Sequence, residues 1–328
     1  MSRVRILLDG IGVVGMAQAR MLARRLRHGP LRPSWSLRTE AALTAMRAPM
    51  DASKIRGVAW LRELTSMLPA RSALQSQVRT RDVHVGGVRC LECTPLAGPD
   101  ASRSVLHIHG GGYVIGSPEM SFDAIARIAV GAQARVVAVD YRLAPQHRFP
   151  AALDDCVAAL RGLLRETDPA RVALAGDSAG GALCVATLCA LRDAGDRLPA
   201  AAVLFCPWTD PLADGGSMRS NEPFDFGDRE LLVGWARDYA GDAASDPRVS
   251  VLAAKLEGLP PLLIQAGDAE ILRDQIVAFA ERAQQAGVDV TLHVEPDMFH
   301  DWQVQAGLVP AGIPAMEDAV RFLRERVV

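Results

Sequence analysis

An α/β fold, with a mostly parallel central sheet covered by helices on both faces, is what the sequence predicts. Three observations carry that prediction. From Ser104 onward, short apolar segments alternate with longer stretches of helical periodicity, the order that crossover units require. The apolar segments are near-continuous runs, as strands buried on both faces must be. The composition is globular, with 328 residues of which 49% are hydrophobic and 23% charged. That composition excludes disorder, collagen and coiled coil, and the chain is long enough to bury a core without staples.

The elements follow in order. Met16 to Leu26, Thr39 to Arg47 and Ala59 to Met67 have helical spacing, with Pro30 and Pro33 breaking the first from the second. Val83-His84-Val85 and Val88 to Cys93, joined by Gly86-Gly87, predict a hairpin. Strands are then expected at 105–109, 135–141, 172–175, 201–206, 262–266 and 288–294, about eight in all with the hairpin. Helices are expected at 121–132, 151–165, 179–191, 271–286 and 315–327. The stretch 210–258, with a helical piece from Glu230 to Tyr239, is far longer than an ordinary loop and reads as an insertion. The expected organisation is an N-terminal helical cap region over 1–82 and a core over 83–328, with 210–258 as a cap insertion.

Composition and local patterns narrow the function. With 36 basic and 38 acidic residues the formal charge is -2, so no electrostatic footprint marks a nucleic-acid partner. Six cysteines are too sparse for a disulfide framework. Cys90 and Cys93 form a C-x-x-C, but an odd spacing on a strand sends the two side chains to opposite faces, so they read as ordinary core residues. The N-terminus imitates a secretion signal, with Arg3 and Arg5, an apolar run and Ala17-Gln18-Ala19. Asp9 interrupts the run and Arg20, Arg24 and Arg25 continue in helical spacing, so the expectation is no stable membrane span and a cytoplasmic protein.

Gly10-Ile-Gly12-Val-Val-Gly15 matches G-x-G-x-x-G after a strand-like Val4 to Leu8. A dinucleotide site also needs an acid about 20 residues on and a second parallel strand. No acidic residue lies between Asp9 and Glu40, so the glycines read as small residues that let a helix pack closely.

The strongest chemical signal is Gly176-Asp177-Ser178-Ala179-Gly180-Gly181, a G-x-S-x-G between an expected strand and an expected helix. A serine on such a strained turn projects its hydroxyl above the sheet, and the helix behind it aims amides at the same place. A second signal is His109-Gly110-Gly111-Gly112, directly after a buried strand. Adjacent glycines leave amides unshielded, and one such donor to a developing oxyanion contributes roughly 3 kcal/mol of transition-state stabilisation. A hydroxyl needs a base. Of seven histidines, His300 lies just past the last strand, where catalytic groups of this architecture gather. His293 is expected to face outward from its strand, and His147 to be structural. The base needs an acid to hold its tautomer. Asp268 and Glu270 both follow a strand, and spacing alone leaves them open; one is expected to serve the base and the other to cap the next helix.

Together these motifs resemble the hormone-sensitive-lipase-like esterases of the α/β-hydrolase fold, from about His107 to the C-terminus. The resemblance also covers Asp140-Tyr-Arg-Leu-Ala-Pro145, Phe149 to Asp155, Pro207-Trp-Thr-Asp210, and Asp246-Pro247 through Ser250. It implies Ser178 as nucleophile, His300 as base and an oxyanion hole from the amides of Gly111, Gly112 and Ala179. It implies Glu270 as the acid, because Glu270-Ile-Leu-Arg-Asp274 stands where the family usually has Asp-Pro-Leu-Arg-Asp, with Asp268 as the alternate. Gln146 stands where the family usually has Glu. The implied activity is hydrolysis of short-to-medium acyl esters, with no cofactor or metal and a small-molecule ester as substrate. A lactone or amide hydrolase and a non-catalytic binding relative are the alternatives. Homodimers through the last strand and helix occur in the family.

Overall fold

The computed structural model describes residues 2–68, 72–98, 100–212 and 215–327. Its strands are β1 (Val78–Val85), β2 (Val88–Pro95), β3 (Asp100–Ile108), β4 (Ala134–Val139), β5 (Val172–Asp177), β6 (Ala201–Phe205), β7 (Leu262–Gly267) and β8 (Val290–Glu295). They form one sheet in the order β1-β2-β4-β3-β5-β6-β7-β8. β1 and β2 are the expected hairpin, and β2 meets β4 antiparallel; every other pairing is parallel.

The helices are α1 (Arg3–His28), α2 (Leu37–Arg56), α3 (Val58–Ser66), α4 (Phe122–Ala132), α5 (Ala151–Glu166), α6 (Ala179–Asp193), α7 (Gly216–Ser220), α8 (Arg229–Tyr239), α9 (Arg273–Gln285) and α10 (Gly312–Arg326). Two cores separate cleanly by strand alternation. Leu106, Ile108, Val137, Leu174, Leu204 and Ile264 pack on the side of α5, α6 and α9. Val105, Val136, Ala173, Val203, Phe205 and Leu263 pack on the side of α4 and α10. Cys90 belongs to the first core and Cys93 to the second, the opposite-face placement expected of that pair.

The strand order explains where a site can form. The chain leaves β3 for β4 on one side and returns to β5 on the other. β3 and β5 are therefore neighbours, with Ile108 opposite Gly176, and their following loops diverge at a switch point that opens a crevice. The glycine loop and the serine turn are those two loops.

The N-terminal third departs from expectation in three ways. Val4 to Leu8 is helical rather than strand-like, because Ile6, Gly10 and Met21 share the buried side of one long α1, a period visible only over several turns. The G-x-G-x-x-G lies inside that helix, and only Gly10 packs closely: a Cβ there would sit 2.4 Å from a Leu64 methyl, whereas Gly12 and Gly15 face open space. By length and composition α1 is apolar enough to cross a membrane, a property the interrupting Asp9 concealed.

Candidate active site

β5 hands its last residue, Asp177, to a sharp turn that α6 continues. Ser178 occupies that turn with φ 53° and ψ -120°, a left-handed strained conformation for a residue with a side chain. The surroundings over-determine it. The Ser178 amide donates to Phe205 O at 2.8 Å, and its carbonyl accepts from the Trp208 amide at 2.9 Å. Gly180 lets α6 press onto the end of β3, since a Cβ there would lie 2.1 Å from Ile108 O. The Pro207-Trp208-Thr209-Asp210 motif thus supports the serine turn from the next strand.

The loop after β3 is anchored on both sides. Tyr141 Oη donates to His109 O at 2.9 Å, and the two rings stack at 4.1 Å. The Gly110 amide donates to Asp177 Oδ2 at 2.9 Å. Arg142 fixes the neighbouring turn through Asp155, at 2.8 Å from Nη2. Gln146 accepts from Arg62 at 2.5 Å. Gly111 and Gly112 follow with φ of 108° and 59°. Among the described residues, the amides of Gly111, Gly112 and Ala179 donate to no protein acceptor. Gly111, Gly112 and Ser178 border the same cavity.

His300 comes from the loop after β8. Its Nε2 lies 2.9 Å from Ser178 Oγ, and its Nδ1 lies 3.5 Å from Glu270 Oε2. Glu270, on the loop after β7, is 0% exposed, whereas the Asp268 side chain is 42% exposed and turned toward Arg273 and Arg32 at 3.4 and 3.6 Å. Neither acid caps α9, contrary to expectation. The Ile271 amide is instead bound at 2.8 Å by Asp225 Oδ2, and the Glu270 carbonyl by Asn221 Nδ2 at 2.9 Å, both from the 210–258 stretch. Asp274 bonds the Ser217 amide at 2.7 Å, away from the histidine. His293 is exposed beside Asp318, and His147 is exposed in its loop.

Two further acids complete the surroundings of His300. Asp301 places Oδ2 at 3.3 Å from Nε2, on the cavity wall, and its φ of 55° is left-handed. Asp225 accepts from the His300 amide at 3.3 Å. Burial by itself would lower the His300 pKa, but Asp301, then Glu270 and Asp225, outweigh it and push the value up to about 10. Burial likewise raises the carboxyl groups of Asp225 and Asp177 to about 6, and that of Asp301 well above the usual range. The Cys206 sulfur lies close to Glu270 and His300, but burial pushes its thiol well up, which disfavours the thiolate that a metal would need. A hydroxyl hydrogen-bonded to an imidazole, with an acid behind the ring and free amides in front, is an arrangement for acyl transfer.

A family model described as the alpha/beta hydrolase fold matches residues 105–304. An acetyl-hydrolase of Streptomyces hygroscopicus is 43% identical over 230 residues, covering 68% of this chain and 75% of that protein. An esterase of Acinetobacter venetianus is 32% identical over 249 residues, covering 75% and 82%. A solved esterase of the bacterial hormone-sensitive lipase family superposes with a TM-score of 0.78 at 36% identity, over 98% of each chain. The chain belongs to the hormone-sensitive-lipase-like esterases of the α/β-hydrolase fold.

The esterase closes its cavity with elements from both ends of the sequence. Met50 of α2, Phe226, Leu231, Leu232 and Trp235 of the 210–258 stretch, and Leu272 line about 50 Å³ beside Ser178. Arg47 Nη1 donates to Glu222 O at 3.0 Å, Lys54 pairs with Asp228, and Arg32 pairs with Asp297 at 2.6 Å, joining the N-terminal helices to the insertion and to the loop before His300. Sequence reasoning overlooked Asp225 and Asp301. Each had a signal: Asp225 is an acid between Phe224 and Phe226, and Asp301 directly follows His300.

Proposed function

We propose that the esterase hydrolyses short-to-medium-chain acyl esters with Ser178 as nucleophile, His300 as general base and acid, and Glu270 as the carboxylate that holds the ring. The observation that carries this reading is the 2.9 Å separation of His300 Nε2 and Ser178 Oγ. Ser178 Oγ attacks the ester carbonyl as its proton passes to Nε2. The developing oxyanion accepts from the amides of Gly111, Gly112 and Ala179, which are fixed before the charge appears. The C–O bond to the alcohol then breaks and the alcohol leaves with the proton from Nε2. Water, deprotonated by the same nitrogen, attacks the acyl-enzyme, and the second tetrahedral intermediate collapses to the acid and free Ser178.

The apolar lining of the cavity beside Ser178, from Met50, Leu231, Leu232 and Trp235, supports an acyl group of short to medium length. The helices over 1–82 and the insertion over 210–258 act as the cap that shapes the cavity. The esterase is proposed to work in the cytoplasm, and to form a homodimer through the edge strand β8 and α10. The test is steady-state hydrolysis of p-nitrophenyl esters by wild type and Ser178→Ala. Loss of about 10⁴-fold or more in kcat is expected for the variant. Turnover retained in Ser178→Ala overturns the reading.

A further inference from the structure

We infer that the outer face of α1 is a docking surface for an anionic lipid membrane, on which the helix lies in the interfacial plane. Helical geometry advances about 100° per residue, which brings Val4, Leu8, Ile11, Leu22 and Leu26 within about 60° of one another. All five are solvent-exposed, with Val4 at 68%, Leu8 at 64%, Ile11 at 60% and Leu26 at 88%. Gly12 and Gly15 are exposed too, and a Cβ on either would meet no atom within 4 Å, so no described residue covers this side at those positions. These exposed apolar positions extend over about 33 Å of the helix, from its first turn to its last.

Charge selects the occupant. α1 carries six arginines and one aspartate. Arg3 pairs with Glu63 at 2.8 Å, Arg24 and Arg25 with Glu40 at 2.9 and 3.0 Å, and Asp9 with Arg56 at 2.6 Å. Arg5, Arg20 and Arg27 form no ion pair among the described residues, and all three fall on one flank of the helix, between about 90° and 150° from the centre of the apolar stripe. An apolar face with unpaired arginines on the polar flank of the same helix is the pattern of helices that lie on anionic lipid, with acyl chains meeting the apolar face and phosphate headgroups within reach of the long arginine side chains.

The same contacts explain why the helix lies on the bilayer instead of crossing it. Insertion would strip Ile6, Gly10 and Met21 from α2 and α3 and leave the fully buried Glu40 carboxylate without Arg24 and Arg25. Leaving a buried charge unpaired is strongly unfavourable.

The test is co-sedimentation of the full chain with phosphatidylcholine vesicles, with and without phosphatidylglycerol. Binding is expected only with phosphatidylglycerol, and it weakens at high salt. Leu8→Gln/Ile11→Gln/Leu22→Gln, helix-compatible changes on an exposed face, is expected to weaken binding more than about tenfold. Arg5→Gln/Arg20→Gln/Arg27→Gln is expected to weaken it about fivefold per arginine and to remove most of the salt dependence. Hydrolysis of a dissolved p-nitrophenyl ester stays at the wild-type level in both variants, which shows that the cap is folded. Any of four results overturns the inference: no vesicle binding, binding that survives both triple variants, a wild-type dimer that the leucine variant converts to monomer, or bound protein resistant to alkaline carbonate as a spanning helix would be.

Discussion

The Gly110 amide donates to Asp177 Oδ2 at 2.9 Å, which ties the loop after β3 to the residue before Ser178. The proposed donors and the proposed nucleophile are thereby held in one rigid unit. A Cβ on residue 110 would lie 2.2 Å from that same oxygen, so the contact leaves room only for glycine. Asp177→Ala is expected to lower kcat by about tenfold to a hundredfold with little change in KM, because the donors act on the transition state. Asp177→Asn keeps an acceptor oxygen and is expected to recover most of the loss. A rise in KM at unchanged kcat would show that the bond serves substrate binding instead.

Glu270 and Asp268 separate by burial and direction. Glu270→Gln removes the negative charge behind the His300 ring and is expected to lower kcat by about 10³-fold to 10⁴-fold. Asp268→Asn affects a partly exposed pair with Arg273 and is expected to stay within about threefold of wild type. Kinetics of the two variants on one short ester decide the matter, and the larger loss in Asp268→Asn would reverse the assignment.

Asp301 bears on the pH dependence. General-base action needs a neutral imidazole, and the surrounding carboxylates raise the His300 pKa, so kcat/KM is expected to rise with pH. Asp301 is the leading acid in that upward push. Asp301→Asn therefore moves the rising limb of the kcat/KM profile to lower pH, with relative activity gained on the acidic side. A limb that stays in place, or moves to higher pH, sinks this account.

Trp235 lines the cavity beside Ser178. Its ring lies over the glycine loop after β3, where a Cβ on Gly112 would come within 2.1 Å of the indole. Trp235→Ala is expected to raise the hexanoate-to-acetate ratio of kcat/KM by about tenfold or more, the scale on which hydrophobic pockets discriminate methylenes. An unchanged chain-length series would place the acyl site elsewhere.

What the sequence revealed depended on how local the signal was. Ser178, the glycine loop and every strand of the sheet announce themselves within a few residues, because buried runs and tight turns are local facts. His300 is legible by position after the last strand, and Glu270 by resemblance more than by spacing. Asp225 and Asp301 stay hidden because their importance lies in long-range approach: one reaches His300 from 75 positions away, and the other matters through the direction of its side chain. The N-terminal helices run longer than the periodic stretches 16–26 and 39–47, because their ends are set by caps outside those stretches: Ser2 and Gly29 for α1, Ser36 and Gly57 for α2. Pro49 sits inside α2 without ending it.

The bond of Trp35 Nε1 to Asp297 O, at 2.5 Å, spans 262 positions. Together with Met50 and His300 in one cavity wall, it means that the chain from Trp35 through His300 must have left the ribosome before the cavity can form. Catalytic competence should emerge only once Trp35, Met50, Asp297 and His300 are all available to one another, on the slow timescale that long-range closure imposes.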